Sequence, residues 1–385
     1  MQKTNNKNRK KICIVAVAPF VLHWFMSPHI FLLREKYDIT LITNGSIDDL
    51  GAFVNENVSF IAVDIERKIS FIKDILALIK LWYIFINNNF SCVHSMGPKA
   101  GLLTMIAGKF SGVPNRFHFF TGQVWATKTG VKRWFLMSLD KLLVYCSTRV
   151  LADSHSQRIF LIENRVVNTS KIEVLGNGSA AGVNINRFKF DVDKSNKVRS
   201  DMNIPDRAIV FLFLGRLTRD KGLMDLSKSF EYAASCNDNL HLLIVGPDED
   251  GIDQEFVALE HKIPGKIHRA GFTKCPEDYM SASDVFCLPS YREGFGSAVI
   301  EAAAIGIPTI ASNIYGVSDA IEDGITGVLH EPGNVAEISA AILMLAGNER
   351  TREEMGRAAK KRVILNFTED IVANAMLDFY KENFN

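Results

Sequence analysis

Short apolar runs separated by longer helix-like stretches, in two successive series, constrain the fold of this 385-residue chain more than any other feature. Short apolar runs are typical of strands buried on both faces, and right-handed crossover helices join such strands into parallel sheets. The amino-terminal half is therefore predicted to be a parallel sheet covered on both faces. Its predicted strands are Lys11–Val17, Asp38–Thr43, Val58–Asp64, Cys92–Ser95, Asn115–Phe120, Arg149–Asp153 and Lys171–Leu175.

The composition changes between the two series. Residues 189–207 are polar and charged and include Ile204-Pro205-Asp206, so we predict a linker there. The fold class is then α/β, with Rossmann-like domains at 1–188 and 208–369 whose parallel sheets face each other across a cleft. The strands predicted in the second domain are Ile209–Gly215, Leu240–Val245, Lys266–Ala270, Asp284–Pro289, Pro308–Ala311 and Gly327–Leu329.

Charge and cysteine content exclude several classes of function. Lysines and arginines number 44 and acids 43, so no overall field attracts nucleic acid. The six cysteines are scattered, without a spacing suited to zinc, and a reduced cytosolic interior fits them best. No run reaches the roughly 20 apolar residues of a membrane span. The basic start and the run Ile12–Leu22 imitate a signal peptide, but we favour a buried strand.

A cationic turn follows the first strand of the second series. Arg216 and Lys221 lie where that strand gives way to the helix-like stretch Leu223–Ala234. A helix amino terminus carries about half a positive charge and free amide donors, so the two cations would complete a pocket for a diphosphate. Taken alone, such a segment is more often a solvated charged turn.

Two glutamates bracket a second turn and the start of a helix. Glu293 is predicted in the loop and Glu301 about one turn inside the helix, with Ser297 as the helix cap. Gly294 and Gly296 let the backbone approach a ligand closely. The two acids can contact opposite ends of one bound molecule; alternatively, Glu301 balances the helix dipole and Glu293 is an exposed loop acid.

Together and in order, these motifs resemble the retaining GT-B glycosyltransferases of family 4. The resemblance rests on Gly-Arg-Leu-x-x-x-Lys-Gly at 215–222, Leu-Ile-Val-Gly at 243–246, the two glutamates and the segment 306–312, and it covers nearly the whole chain. It implies a UDP-sugar donor and no required cofactor. It also implies that the carboxyl-terminal helix, residues 370–385, packs back on the first domain.

The resemblance assigns roles to individual residues of the second domain. Arg216 and Lys221 match the pair that neutralises the donor diphosphate. Glu301 matches the acid that binds the ribose hydroxyls, and Glu293 matches the acid that faces the donor sugar. The backbone amides that orient the sugar and phosphate correspond to Gly294, Phe295, Gly296 and Ser297.

In the first domain, the segments 93–101 and 175–179 resemble a subgroup that builds bacterial capsule and O-antigen units. The resemblance places His94, Thr121 and Gly122 on the acceptor side. Many members have a histidine before the glycine where this chain has Thr121, so a scheme relying on that histidine is in doubt. Strand alternation points nearby His118 to the opposite face, where we expect a packed side chain.

Two further segments allow more than one interpretation. Asp248-Glu249-Asp250 has the spacing of a metal-binding triplet, but an exposed acidic turn explains it more simply, and we expect no metal. The apolar stretches Phe71–Ile86 and Lys128–Tyr145 carry interspersed lysines and suit either a packed helix or a membrane interface. We favour packing for Phe71–Ile86 and the membrane for Lys128–Tyr145.

The function implied by the resemblance is transfer of a hexose or N-acetylhexosamine from a UDP-sugar to a polyprenyl-diphosphate-linked or other saccharide acceptor. The enzyme would work in surface polysaccharide synthesis at the cytoplasmic face of the bacterial inner membrane. Two alternatives remain: an isomerase resembling the UDP-N-acetylglucosamine 2-epimerases, which share the architecture, and a non-catalytic nucleotide-sugar-binding protein.

Overall fold

The computed structural model describes residues 9–53, 58–67 and 70–384. The chain divides into two compact units. The amino-terminal unit runs through Ala181 and is joined by the last segment of the chain, from Glu369 onward. The carboxyl-terminal unit spans Gly182–Thr368. Each unit is built around one parallel sheet, as predicted.

All thirteen predicted strands are present, with ends that differ from the predictions by at most two residues. In the amino-terminal unit they are β1 (Lys11–Val15), β2 (Asp38–Thr43), β3 (Val58–Ala62), β4 (Cys92–Met96), β5 (Asn115–Phe119), β6 (Arg149–Ala152) and β7 (Ile172–Val174). In the carboxyl-terminal unit they are β8 (Ile209–Leu214), β9 (Leu240–Val245), β10 (Ile267–Ala270), β11 (Val285–Leu288), β12 (Thr309–Ser312) and β13 (Gly327–His330).

Helices connect the strands and cover the sheets. In the amino-terminal unit they are α1 (Pro19–Val21), α2 (Ser27–Leu33), α3 (Phe71–Asn88), α4 (Pro98–Phe110), α5 (Gly130–Cys146) and α6 (His155–Glu163). In the carboxyl-terminal unit they are α7 (Val192–Asp201), α8 (Leu223–Cys236), α9 (Asp253–Lys262), α10 (Pro276–Ser281), α11 (Ser297–Ile305), α12 (Val317–Ala320), α13 (Val335–Gly347) and α14 (Glu349–Asn366). The final helix, α15 (Glu369–Asn383), returns to the amino-terminal unit.

The apolar run near the amino end forms the strand that the sequence favours. In β1, every residue from Ile12 to Val15 is fully buried, because helices cover both faces of the sheet. The strand pairs in parallel with β2 on one side and β4 on the other. Within the described ranges, no helix combines the length and apolar composition that crossing a bilayer requires.

Strand order brings particular loops together in each unit. The sheets have the orders β3-β2-β1-β4-β5-β6-β7 and β10-β9-β8-β11-β12-β13. The strand order changes direction between β1 and β4 in the first sheet and between β8 and β11 in the second, which makes these positions the topological switch points. Parallel open sheets bind ligands outside the carboxyl ends of the strands at such points. In the second sheet, the loops after β8 and β11 carry Lys221 and Glu293.

The segment between the two series of strands contains regular structure. Within residues 189–207, the helix α7 begins after Asp191, whose carboxylate accepts hydrogen bonds from the amides of Asp193 and Lys194. This helix packs against α10 and belongs to the carboxyl-terminal unit. The sequence signal for α7 is Asp191 at the cap position. It is hard to recognise because the whole segment is polar.

Candidate active site

The loops that follow β8 and β11 hold one pair of the four predicted charged residues in contact. Lys221 ends a short 3₁₀ turn, and its Nζ donates to the Oε1 atom of Glu293 at 2.5 Å. The same carboxylate oxygen accepts from Ser290 Oγ at 2.8 Å. Both charged side chains are largely buried, at 17% and 14% exposed. The pair is therefore a preorganised polar centre at the carboxyl edge of the sheet.

Close backbone packing explains why these two loops meet. Gly222 follows Lys221 with a left-handed φ of 68°, and a Cβ atom there would lie 1.9 Å from the carbonyl oxygen of Pro289. Only glycine fits this approach without a clash. The Tyr291 amide then donates to the Asp220 carbonyl at 2.9 Å, which fixes the second loop beside the first.

A second ion pair, not predicted from the sequence, reinforces this junction. Arg292 donates to the Asp220 Oδ2 atom at 2.8 Å, and Thr218 donates to Oδ1 of the same carboxylate at 2.6 Å. Burial tends to raise the pKa of Asp220, but the Thr218 hydrogen bond and the charge of Arg292 outweigh it and lower the pKa below its usual value. The only sequence signal for this pair was that Arg292 immediately precedes Glu293.

Arg216 lies at the end of β8 but contacts a different carboxylate. Its guanidinium donates to Glu249 Oε2 at 2.6 Å, and both side chains are more than one third exposed. Backbone hydrogen bonds hold the loops after β8 and β9 side by side, including one from the Leu217 amide to the Pro247 carbonyl at 2.9 Å. Arg216 therefore has a solvent-accessible position on the same edge of the sheet as Lys221.

The acidic triplet that contains Glu249 is bonded within its own loop. The Asp248 Oδ1 atom accepts from the amides of Asp250, Gly251 and Ile252 at 2.8–3.2 Å. Asp250 accepts from the Arg219 amide at 2.8 Å. These contacts form the acidic turn favoured by the sequence. In the described part of the chain, no group of three histidine, cysteine, aspartate or glutamate residues has the arrangement of a metal site.

Glu301 lies on the second turn of α11 and forms no hydrogen bond or ion pair with Lys221 or Glu293. Burial raises its pKa to about 7, with Arg187 opposing the shift and Glu277 reinforcing it. Arg187 itself donates to Glu277 Oε2 at 2.9 Å. Among the described residues, no group hydrogen-bonds to the Glu301 carboxylate, which therefore keeps its acceptor capacity for a ligand.

The start of α11 differs in one detail from the prediction. Gly296, with a φ of 80°, occupies the cap position, and the helix begins at Ser297, whose side chain does not cap it. Ser297 as a cap is therefore wrong. Without a capping side chain, the amides of Ser297 and Ala298 are available to an anionic ligand, whereas the Val299 amide donates to the Gly296 carbonyl at 2.8 Å.

Two neighbouring residues of that turn contribute in different ways. Gly294 lies in close contact with Gly316, where a Cβ atom would lie 2.2 Å from the Gly294 carbonyl oxygen. The Phe295 side chain is buried against Phe367, so only its backbone can meet a ligand.

The acceptor-side candidates of the amino-terminal unit occupy two different environments. His94 lies fully buried on β4, and its Nδ1 atom is 2.8 Å from the hydroxyl of Tyr380. Burial, and then the neighbouring His29, lower the pKa of His94 to about 3, so the ring is a neutral core group. Thr121 and Gly122 are half-buried in the loop after β5, where the Thr121 carbonyl accepts from Gln157 at 2.9 Å.

His118 is packed, as the alternation of β5 predicts. Its side chain is fully buried, and its Nδ1 atom lies 3.0 Å from Ser95 Oγ. Burial, with the nearby His94, lowers the pKa of His118 to about 3. Of the acceptor-side residues named from the sequence, the structure thus leaves Thr121 and Gly122 accessible and encloses His94.

The chain is similar in sequence to known glycosyltransferases. Residues 194–362 match the model of the family described as Glycosyl transferases group 1. The chain is 29% identical over 377 residues to the capsular polysaccharide biosynthesis glycosyltransferase CapM of Staphylococcus aureus, covering 97% of each chain. It is 26% identical over 342 residues, 87% of each, to an Escherichia coli UDP-Gal:alpha-D-GlcNAc-diphosphoundecaprenol alpha-1,3-galactosyltransferase.

Solved structures show the same fold. The crystal structure of HepE (Alr3699) from Anabaena in complex with UDP superposes with a TM-score of 0.78 at 15% identity, over 97% of this chain and all of that one. A glycosyltransferase from Rickettsia africae superposes with a TM-score of 0.79 at 20% identity, over 98% and 99% of the two chains. The two parallel-sheet units thus form a GT-B architecture.

Proposed function

We propose that this chain, a glycosyltransferase with a group 1 domain at residues 194–362, moves a hexose or an N-acetylhexosamine from a UDP-sugar to a lipid-linked saccharide. The transfer retains the configuration of the sugar and contributes to a bacterial surface polysaccharide, a capsule or an O-antigen. The observation that carries this proposal is the largely buried Lys221–Glu293 pair at the carboxyl edge of the second sheet.

The lysine of that pair acts on the leaving group. Cleavage of the bond between the anomeric carbon and UDP places growing negative charge on the diphosphate. A fixed cation stabilises this charge more in the transition state than in the ground state. Lys221 is positioned for this role because Gly222 holds its turn against the end of β11, and Arg216 adds a second, more exposed cation on the same edge.

The two glutamates bind hydroxyl groups of the donor. When a diphosphate oxygen takes the place of Glu293 beside Lys221, that carboxylate becomes free to accept from the hydroxyls of the sugar. Glu301, whose oxygens have no hydrogen-bond donor among the described residues, accepts from the ribose. The uncapped start of α11 directs its amides toward the phosphates.

The sugar keeps its anomeric configuration without a protein nucleophile, because the acceptor and the leaving group use the same face of the sugar. The acceptor hydroxyl attacks from the side on which UDP departs, and a phosphate oxygen of the leaving group accepts its proton. In this scheme the bond from the anomeric carbon to the acceptor oxygen forms as the bond to the diphosphate breaks. His94 takes no part, because it is enclosed in the core.

The acceptor is taken by the amino-terminal unit, with Thr121 and Gly122 on its accessible side. The names of two relatives support a lipid-linked acceptor: the E. coli galactosyltransferase, and a Campylobacter jejuni N,N'-diacetylbacillosaminyl-diphospho-undecaprenol alpha-1,3-N-acetylgalactosaminyltransferase that is 25% identical over 304 residues. Both names contain a diphospho-undecaprenol acceptor. A peripheral location on the cytoplasmic face of the inner membrane follows from such a substrate.

A donor panel with detection of released UDP tests the proposal. Purified protein is supplied with UDP-hexoses and UDP-N-acetylhexosamines, each with and without a polyprenyl-diphosphate-linked saccharide. We expect UDP release with one donor and only when the acceptor is present, with an α linkage in the product when the donor is α-linked. An altered sugar without UDP release would identify an epimerase instead, and binding without any turnover would identify a non-catalytic protein.

A further inference from the structure

Helix α3 is apolar on both of its faces. Its inner face packs into the core of the amino-terminal unit through Ala77, Leu81, Ile84 and Phe85. Its outer face exposes eight large apolar side chains, each between 41% and 77% accessible: Phe71, Ile72, Ile75, Leu76, Ile79, Trp82, Tyr83 and Ile86. At about 100° per residue these eight fall on one arc of about 140°. The sequence favoured an ordinary packed helix here, and the structure shows that packing covers only half of it.

An exposed apolar face of this size is unusual for a helix on a protein surface. Such helices normally present charged or polar residues to water, and contiguous apolar patches mark interaction sites. The polar residues of α3 do not interrupt the outer face. Lys73 and Lys80 border it on one side, and Asp74 lies on the inner face, where it pairs with Lys99. An apolar stripe with lysines along its border is typical of a helix lying in a lipid interface, and here the lysines follow one border.

The neighbouring helices extend the surface. Helix α4 packs against both α3 and α5. Helix α5 exposes Val131, Trp134, Phe135, Leu142 and Tyr145. Phe110, at the end of α4, is 76% exposed, and the Lys109 ammonium beside it lies 3.4 Å from the centre of the Tyr145 ring. The outer sides of α3 and α5, with the end of α4, are named here the α3–α5 surface.

The charge of this part of the chain is strongly positive. Residues 71–146 contain nine lysines and arginines but only two acids, Asp74 and Asp140. Lys99 pairs with Asp74 at 2.5 Å, and Asp140 is buried, where it accepts from Trp125 at 2.7 Å. Neither acid therefore offsets the exposed cations.

Four exposed lysines on or beside α3 and α5 have no ionic partners in the described structure, whereas Lys73 of α3 pairs with Glu66. Lys80, Lys132 and Lys141 are exposed, and so is Lys128 just before α5. Among the described residues, no carboxylate lies within ion-pair distance of any of these four. Their charge is thus available to anions in solution or at a lipid surface.

We infer that the α3–α5 surface docks on an anionic bilayer, with the outer face of α3 among the upper acyl chains and the lysines at the lipid phosphates. The inference deepens the proposed function, on which it rests for a lipid-linked acceptor. Charge argues against a second copy as the occupant, because face-to-face association would bring two positive surfaces together. An anionic lipid surface complements both the apolar stripe and its cationic border.

Vesicle flotation tests the inference. Full-length protein is floated with vesicles of phosphatidylcholine alone or mixed with phosphatidylglycerol. We expect the wild type to float with the anionic vesicles and much less with the neutral ones. The variant Ile75→Glu/Ile79→Glu places two carboxylates on the outer face of α3, and its partitioning to anionic vesicles should fall at least tenfold.

A matched control separates this effect from added negative charge. Ile364→Glu/Leu365→Glu introduces the same two charges on an exposed apolar pair of α14, in the other unit, and should float like the wild type. Circular dichroism and UDP release with a short-chain, water-soluble acceptor show that each variant is folded. Equal flotation of the α3 variant and the wild type, or no flotation of the wild type, would overturn the inference.

Tryptophan quenching locates the inserted helix. Trp82 lies on α3 and Trp134 on α5, and both are exposed. Acyl-chain-brominated lipid should quench the wild type, and Trp82→Phe should remove more of that quenching than Trp134→Phe. The reverse order would assign insertion to α5 and contradict the role given to α3.

Two measurements separate this inference from its alternatives. A dimer in lipid-free solution that Ile75→Glu/Ile79→Glu converts to a monomer would show that a second copy covers the surface, and would overturn the inference. Flotation that depends on α3, in a protein that transfers no sugar to any diphospholipid-linked acceptor, would leave the surface in place and refute the proposed function.

Discussion

The first six strands of each unit have the same order, but the two sheets differ in the polar groups near their centres. At the centre of the second sheet, Lys221, Glu293, Asp220 and Arg292 form partly accessible ion pairs in the loops after β8 and β11. Near the centre of the first sheet, β4 and β5 carry His94 and His118, which are neutral and sealed in the core. The carboxyl-terminal unit also encloses histidines, but His241 and His268 lie on β9 and β10, toward one edge of its sheet. The carboxyl-terminal unit thus has ion pairs in the loops to which the proposed function assigns the leaving group, whereas exposed cations of the amino-terminal unit lie on an outer, largely apolar surface.

The largest effect expected from this comparison is a loss of stability of the amino-terminal unit at acid pH, because that unit encloses three neutral histidines. Burial lowers the pKa of His29 to about 4 and of His94 and His118 to about 3, and each ring has one nitrogen without a partner in the described structure. Below the ordinary value of 6.5, the unfolded chain takes up protons that the folded unit refuses. The stability of the unit should therefore fall as pH drops from 6.5 toward 4, by about 2 kcal/mol per histidine near pH 5.

Tryptophan fluorescence measures this loss, because all four tryptophans of the chain belong to the amino-terminal unit. Denaturant unfolding followed at several pH values gives the dependence directly. Because glutamine stays neutral, His118→Gln should reduce the pH dependence of the free energy of unfolding by about one third. The same substitution at the exposed His261 should leave that pH dependence unchanged. An unchanged slope in His118→Gln would contradict the assignment to buried histidines.

The next effect concerns the charged centre of the carboxyl-terminal unit. Lys221→Ala removes a charge-assisted bond worth about 1.5 to 3 kcal/mol, so UDP release should slow roughly ten- to over a hundredfold. Lys228→Ala, at an exposed position of α8, removes the same charge outside the junction and should leave the rate unchanged. Normal turnover by the Lys221 variant would exclude this lysine from the mechanism.

A smaller effect is expected at the second ion pair of the same junction. Arg292→Ala removes the ion pair with Asp220. In this pair the Arg292 side chain is 21% exposed and the Asp220 side chain is 32% exposed. Because solvent screens such a pair, the free energy of unfolding should fall by only about 1 kcal/mol. Chemical denaturation of Arg292→Ala, Asp220→Asn and the double variant gives the coupling. Additive losses would show that the pair does not connect the two loops.

The sequence predicted the sheets well and the surfaces poorly, for a physical reason. Strands buried on both faces leave apolar runs such as Leu240–Val245, whose predicted ends are those observed. Lys221 and Glu293 were singled out because cations and acids beside glycines suit diphosphate binding, and the structure brings their side chains into contact. The resemblance placed His94 on the acceptor side, although the predicted strand Cys92–Ser95 contains it, and the structure encloses its ring in the core. Helix α3 packs on its inner face, as favoured, but its exposed outer face was not predicted, because periodicity shows where apolar residues lie on a helix and not which face another element covers.

The smallest expected effect is that of removing metal ions with a chelator. This experiment tests whether Lys221 and Arg216 stabilise the diphosphate without a bound metal. In the Asp248-Glu249-Asp250 triplet, Asp248 and Asp250 accept backbone amides and Glu249 pairs with Arg216. A metal would have to break these contacts before it could reach a diphosphate. We therefore expect UDP release to be the same in excess chelator as with added magnesium or manganese. Activity that chelator abolishes and manganese restores would show that a metal shares the charge assigned here to Lys221 and Arg216, and the contrast between the two units would then depend on a bound ion as well as on side chains.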